Sequence, residues 1–211
     1  MTVTEAPPLR SAPPLALLVA LGFLAGVAAR AAEASPWRWA AELASYPAVW
    51  VLAVAVIGRL APSGRSSAAR AAVFFAAMSV AYYAWAAEVL GFGWNARATI
   101  AWLVLSATAV PATSLLAWWA SRRGGAIPGV LLALLAAVVL VGGEAWRQAE
   151  IWTGAQPFLV GRPVQATADV VVALVLLLVL PRQRSTRLWA VAATIPLCWL
   201  VWLSDLLRHV P

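Results

Sequence analysis

Seven apolar stretches follow one another along the chain, and short polar segments separate them. They cover residues 15–29, 43–60, 71–90, 98–120, 126–146, 164–180 and 188–207. A helix crosses the hydrocarbon core of a bilayer with about 20 apolar residues, within a range of about 17–25. Four stretches are long enough, whereas the first, second and sixth need flanking interfacial residues. The pattern predicts an all-α, polytopic transmembrane bundle of about seven spans, formed by a single domain over residues 15–207.

Composition strengthens this prediction, because 64% of the 211 residues are hydrophobic and only 11% are charged. Soluble domains are usually about 25% charged and about half apolar or less. A lipid bilayer is therefore the expected surrounding of the helices, since apolar side chains can face it. Residues 1–14 are polar and rich in proline, and we predict that they form a disordered cytoplasmic tail.

The charges are distributed unevenly between alternate connections. One side carries nine arginines and one acid, Glu5; these arginines are Arg10, Arg59, Arg65, Arg70, Arg122, Arg123, Arg182, Arg184 and Arg187. The other side carries the remaining six arginines and seven acids. By the positive-inside rule, the first side and the N-terminus are cytoplasmic. Abundant alanine and arginine without lysine are typical of a GC-rich bacterial genome, so we expect a multi-pass protein of the bacterial plasma membrane.

The first apolar stretch allows a different interpretation. It is short, and Ala29-Arg30-Ala31 or Ala32-Glu33-Ala34 resembles a signal-peptide cleavage site. Cleavage there, or failure of one short stretch to cross the membrane, leaves six spans. The predicted orientation of the remaining spans is the same in both cases.

The inventory of reactive side chains excludes several classes of protein. The chain has no lysine, so it cannot form the Schiff base of a retinal protein. It has one cysteine, Cys198, and one histidine, His209, which excludes an intrachain disulfide and a zinc site of several such ligands. H-E-x-x-H and G-x-S-x-G motifs are absent. We predict neither enzymatic activity nor a metal or cofactor, and we assign the net charge of +7 to topology rather than to nucleic-acid binding.

Acidic and aromatic side chains gather on the less basic side. Glu88, Glu144 and Asp205 lie near that end of their stretches, Asp169 lies deeper, and ten of the 13 tryptophans share this side. We hypothesise an outward-facing polar and aromatic pocket that binds or transports a small molecule. Its candidate residues are Glu88, Glu144, Asp169, Asp205, Trp85, Trp146, Trp202 and Arg147. The alternative for the same residues is an interfacial belt of tryptophans and charges that pair with one another.

Two further expectations concern the helices. Pro111 and Pro196 lie inside apolar stretches, where each predicts a packing kink or, alternatively, a hinge or an opened binding site. The alternative function is a non-catalytic membrane component that docks a partner membrane protein. The alanine-rich third and fifth stretches favour that function, because small side chains allow helices to approach closely.

Several short motifs resemble those of a family of small actinobacterial integral membrane proteins that carries only a domain-of-unknown-function label. They are Ser45-Tyr46-Pro47-Ala48-Val49-Trp50, Tyr82-Tyr83, Trp118-Trp119 with Arg122-Arg123, and Gly143-Glu144. The resemblance covers roughly residues 15–205. In this sequence, Tyr46-Pro47-Ala48 stands where the family usually has Ser-Gly before the Val-Trp pair. The resemblance implies a helical bundle in the plasma membrane and implies no activity.

Overall fold

A computed structural model describes residues 14–44, 46–154 and 161–208, and every element in these ranges is helical. The elements are α1 (Leu15–Glu33), α2 (Arg38–Ala44), α3 (Pro47–Leu60), α4 (Gly64–Glu88), α5 (Ala96–Ala107), α6 (Ala109–Arg122), α7 (Ala126–Gly142), α8 (Glu144–Trp152), α9 (Pro163–Leu174), a π-helical segment (Val175–Val179) and α10 (Arg184–Arg208). The predicted tail, residues 1–14, lies almost entirely outside the described residues.

Four helices are long and apolar enough to cross a membrane: α1, α4, the joined α5–α6 and α10. Two bent pairs, α2 with α3 and α7 with α8, raise the number to six if each pair forms one span. The sixth predicted stretch corresponds to the shorter apolar helix Pro163–Val179. The all-helical class is thus confirmed, with four to six candidate spans. Long apolar helices of this kind indicate a membrane protein.

The boundaries of some helices differ from those of the apolar stretches, because polar side chains cap the helices at other positions. α4 begins at Gly64, well before the apolar stretch, because the Ser63 hydroxyl accepts a hydrogen bond from the Ser66 amide and caps the helix. The side chain of Asn95 caps α5 in the same way through the Ala98 amide. Hydropathy alone does not register such caps, because the residues that follow them include arginines and serines.

Three helices are interrupted. α5 ends at Ala107 and α6 begins at Ala109, so the interruption at Thr108 lies three residues ahead of Pro111, whose ring removes a backbone donor and disfavours a regular helix there. α3 begins at Pro47, which suits the first position of a helix, and α7 gives way to α8 at Gly143 with a bend of 52°. Pro196, in contrast, lies inside the uninterrupted α10. The helix is therefore interrupted near Pro111 but not at Pro196, and the kink itself stays a prediction at both positions.

Small residues allow the closest helix contacts. Gly22 and Gly26 of α1 lie against the backbone of Phe74 and Met78 in α4, so closely that no side chain could replace them without displacing α4. Gly129 of α7 meets α10 in a similar way. These contacts organise the helices around two buried apolar clusters, one joining α3, α6, α7, α9 and α10, and one joining α3 and α4.

Candidate functional site

Asp169 is the most deeply buried charged side chain among the described residues, with 0% exposure. Its carboxylate accepts hydrogen bonds from the Tyr46 hydroxyl at 2.6 and 2.7 Å, from the Glu144 amide at 2.7 Å and from the Ala145 amide at 3.0 Å. The two amides belong to the first turn of α8, where backbone donors have no partner inside the helix and the dipole favours a negative charge. A carboxylate is therefore compensated here without a cation.

Gly143 is required for this approach. A Cβ at Gly143 would lie against the Asp169 carboxylate, whereas a Cβ at the neighbouring Gly142 would meet nothing within 4 Å. We call Asp169, Tyr46, Gly143 and the first two amides of α8 the Asp169 cluster. It joins the α7–α8 bend to the α2–α3 bend, because Tyr46 lies in the second bend. Its carboxylate and its three donors pair with one another across three parts of the chain, which is typical of a structural role.

Three other predicted site residues lie on α8 beside the cluster. The Arg147 guanidinium donates to the Glu144 carboxylate at 3.0 Å, and the Trp146 indole donates to Glu150 at 2.9 Å. The Trp146 ring also lies 6.4 Å from that of Trp202 in α10. The structure thus brings Glu144, Asp169, Trp146, Arg147 and Trp202 into one region, where Glu144 pairs with Arg147 and the rings of Trp146 and Trp202 are tilted by 47°.

The remaining predicted residues are placed differently. Trp85 and the exposed Glu88 lie near the end of α4, which packs against α1, α3, α5 and α6 rather than against α8 and α9. Asp205 lies in α10, with its side chain outside the described residues. The hypothesis that the four carboxylates share one pocket stays a prediction.

A cavity of about 310 Å³ lies elsewhere, among α1, α3, α4, α5 and α6. Its aromatic lining consists of Trp50, Phe75, Tyr82, Tyr83 and Trp102. None of the eight predicted site residues lines it. The volume is at the lower end of the range of about 300–1,000 Å³ for small-molecule pockets, and the mostly apolar lining is also typical of them.

Two helix interruptions form part of the cavity wall. Ala44 and Pro47 line it on either side of the α2–α3 bend, and Ala109 and Val110 line it directly after the break at Thr108. Trp102, which lines the cavity, is 46% exposed. In a bilayer, interrupted backbone is found where protein or a cavity covers it.

Three of the four hydroxyl groups in the lining, those of Ser79, Tyr82 and Thr113, are already hydrogen-bonded within the chain. Ser79 donates to the Phe75 carbonyl at 2.8 Å, and Thr113 donates to the Ala109 carbonyl at 2.9 Å. The Tyr82 hydroxyl donates to the Glu33 carboxylate. Satisfied hydroxyls demand no partner from a ligand, so the cavity suits a molecule that is mainly apolar.

An ion pair stands beside this cavity at the end of α1. Arg30 and Glu33 lie one turn apart and pair with each other, and Tyr82 contacts both. The Arg30 guanidinium also lies 5.2 Å from the centre of the Tyr82 ring and 5.0 Å from that of Phe92. These contacts fix the position of Tyr82 in the cavity wall and close this end of it with charged groups.

Among the described residues, no group of three or more histidine, cysteine, aspartate or glutamate side chains could hold a metal ion. The family comparison covers nearly the whole chain, since a model of a family of unknown function matches residues 5–208. The chain belongs to the DUF6518 family. No curated protein and no solved structure matches this DUF6518 member. Its function therefore has to be argued from its own geometry.

The sequence contains some signals for these sites without revealing their arrangement. Tyr46, Pro47, Trp50, Tyr82 and Tyr83 belong to the motifs quoted for the family resemblance, and each lies in the cavity wall or the Asp169 cluster. Glu33 and Arg30 enter the sequence analysis only through the charge balance between the two sides and the motifs that resemble a cleavage site. Their contacts with Tyr82 depend on the close packing of α1 on α4, which the glycine spacing of α1 could have indicated.

Proposed function

We propose that this DUF6518 member binds a small, mainly apolar molecule inside the membrane, in the cavity bounded by Trp50, Tyr83, Trp102 and Ala109. The observation that carries this proposal is an aromatic cavity whose wall includes two interrupted helices and in which the hydroxyls of Ser79, Tyr82 and Thr113 already donate to partners within the chain. Transporters build their substrate sites from discontinuous helices of this kind. Transport is therefore the process that we favour for the bound molecule.

The exposed part of the cavity lining favours access from the lipid phase. Trp102 and Ala109 are exposed and lie within the joined α5–α6 rather than at either end of it. A molecule that partitions into the bilayer can reach the cavity there without passing the ion pair of Arg30 and Glu33. This geometry favours a hydrophobic substrate over a water-soluble charged one.

The proposal includes a topology. We infer seven spans in the bacterial plasma membrane with a cytoplasmic N-terminus, counting the bent pairs and Pro163–Val179 as one span each. The arginines at the ends of α3 and α6 support this orientation by the positive-inside rule. Cysteines introduced one at a time at Arg65 and Trp94 in a Cys198→Ser background test it. A membrane-impermeant maleimide applied to intact cells should label the second and spare the first, and the reverse pattern would refute the orientation.

Native mass spectrometry of the protein purified in mild detergent from its own membrane tests the binding itself. We expect a reproducible adduct of a few hundred daltons. Ala109→Phe should abolish it, because the new ring occupies the cavity. Ala112→Phe adds the same ring to an exposed position of α6 outside the lining, so the adduct should persist in this matched control.

Two results would contradict the proposal. One is a chain without an adduct, and the other is an adduct that both variants retain. A second protein that stays bound in place of a small molecule would support the partner-docking function instead.

A further inference from the structure

A second site lies at the opposite end of the bundle, where α3, α6 and the π-helical segment end together. Three arginines meet there. The Arg59 Nε donates to the Leu180 carbonyl at 3.2 Å, and an Nη of Arg182 donates to the Arg59 carbonyl at 3.0 Å. The Arg122 guanidinium donates to the Ala61 carbonyl at 2.5 Å and to the Trp118 carbonyl at 3.1 Å. We call Arg59, Arg122 and Arg182 the arginine cluster.

The cluster is possible because the carboxyl ends of helices attract cations. Each helix end carries about half a negative charge. Three such ends therefore balance only about half of the three positive charges. Every acidic side chain that the structure describes lies elsewhere, since Glu33, Glu42, Glu88, Glu144, Glu150 and Asp169 belong to the other end of the bundle or to the Asp169 cluster. Positive charge thus remains uncompensated by the described part of the chain.

The cluster also retains hydrogen-bond donors. A guanidinium has five N–H groups in a fork that fits two oxygen atoms of a phosphate. In the bonds given above, Arg59 and Arg182 each use one nitrogen on a protein carbonyl. Arg122 is held more firmly, because it also lies 5.0 Å from the centre of the Trp118 ring. Arg122 therefore supplies fixed charge, while Arg59 and Arg182 can offer donors to an anion.

Apolar surface adjoins these donors. Leu60, next to Arg59, is 64% exposed, and Val179, three residues before Arg182, is 52% exposed. The cluster lies at the ends of apolar helices, which is the level of the lipid headgroups in a bilayer. A ligand with a phosphate joined to long apolar chains matches both features.

We propose that the arginine cluster binds the phosphate headgroup of an anionic phospholipid, whose acyl chains lie along the exposed faces of α3 and the π-helical segment. The site is separate from the cavity and does not depend on the function proposed for it. Basic sites between transmembrane helices are a known mode of anionic-lipid recognition. The lipid would hold the ends of three helices together at this face.

The experiment titrates delipidated protein in mild detergent with phosphatidylglycerol or phosphatidylcholine and counts bound lipids by native mass spectrometry. Phosphatidylglycerol should bind in preference to phosphatidylcholine. The double variant Arg59→Gln with Arg182→Gln should weaken phosphatidylglycerol binding about 25-fold, at about fivefold for each arginine. The double variant Arg59→Lys with Arg182→Lys keeps the positive charge, so its affinity for phosphatidylglycerol should fall far less.

The matched control is Arg65→Gln with Arg184→Gln, which removes the same charge from the same end but outside the cluster. We expect a loss of threefold or less. An equal loss of phosphatidylglycerol affinity in both double variants would show that the arginines act through a diffuse electrostatic field rather than a defined site. That result would overturn the proposal. Equal binding of phosphatidylcholine would also overturn it, as would displacement of the lipid by an equal concentration of soluble glycerol phosphate. Thermal unfolding of each variant ensures that only folded protein is compared.

Discussion

The Asp169 cluster and the aromatic cavity are both built beside interrupted helices, yet they treat polar groups in opposite ways. In the cluster, one carboxylate and three donors satisfy one another and leave no room, since even a methyl group at Gly143 would not fit. In the cavity, the hydroxyls of Ser79, Thr113 and Tyr82 donate to two carbonyls and one carboxylate, and about 310 Å³ is left open. A buried charge in an apolar helix can thus hold two helix bends together, while the space for a ligand lies among uncharged aromatic rings.

The two regions share one segment of chain. Tyr46 belongs to the Asp169 cluster, and its neighbour Pro47 lines the cavity. The cluster therefore holds part of the cavity wall in place. We therefore expect substitutions in the Asp169 cluster to lower the stability of the protein strongly. Substitutions in the cavity should remove ligand binding with little effect on stability.

The largest effect is expected for Asp169→Ala. The substitution leaves the Tyr46 hydroxyl and the Ala145 amide without their acceptor, at about 1–3 kcal/mol for each group, and leaves the Glu144 amide with only the Tyr46 oxygen at 3.1 Å. We expect the free energy of unfolding to fall by about 3–5 kcal/mol. SDS-induced unfolding in mixed micelles, followed by far-UV circular dichroism, measures it. Unchanged stability would mean that the carboxylate does not join the two bends.

Tyr46→Phe should have the next largest effect. It removes one donor to a carboxylate and leaves the two amide bonds in place, so we expect a loss of about 1.5–3 kcal/mol. The same unfolding measurement applies. Tyr83→Phe is the control, because Tyr83 lies in the cavity wall outside the cluster, and its stability should change by less than Tyr46→Phe.

Gly143→Ala should be destabilising by about 1–3 kcal/mol, because the new methyl group displaces the carboxylate from the first turn of α8. Gly142→Ala is a closely matched control, since nothing lies within 4 Å of its added methyl group. We expect the control to be neutral or slightly stabilising, as alanine favours helix more than glycine does. Equal losses in both variants would argue against the close approach at Gly143.

Arg147→Gln should have the smallest effect. In its ion pair with Glu144, the arginine side chain is 61% exposed, whereas the glutamate side chain is only 11% exposed. Because water reaches the guanidinium, we expect the pair to contribute about 1 kcal/mol or less. At low salt, the free energy of unfolding should differ only slightly between Arg147→Gln and the unchanged protein. High salt should reduce this difference further. If Arg147→Gln lowered stability more than Tyr46→Phe, the ion pair rather than the Asp169 cluster would be the main source of stability around α8.

The helical class could be predicted from hydropathy because the solvent of a membrane protein selects long apolar segments. The break at Thr108 also follows from Pro111, since proline affects the helix locally. The break at Gly143 does not, because its cause is the carboxylate of Asp169 on another helix.

The sites were harder to predict than the spans. Asp169 was a predicted site residue, but its partner Tyr46 lies 123 residues away along the chain, and no local pattern indicates that contact. The cavity draws side chains from several helices, each of which contributes ordinary apolar or aromatic residues. Such residues carry no signal of their own in one sequence. Only the packing of the helices shows that space remains between them.

The most direct test of the comparison measures the small-molecule adduct in Asp169→Asn and Ala109→Phe side by side by native mass spectrometry. We predict that Asp169→Asn keeps the adduct. The asparagine oxygen can still accept hydrogen bonds from the amides in the first turn of α8, and the cavity stays open. Ala109→Phe should lose the adduct while remaining folded. The opposite result, with the adduct lost in a folded Asp169→Asn protein and kept in Ala109→Phe, would place the ligand at the carboxylate and contradict the account.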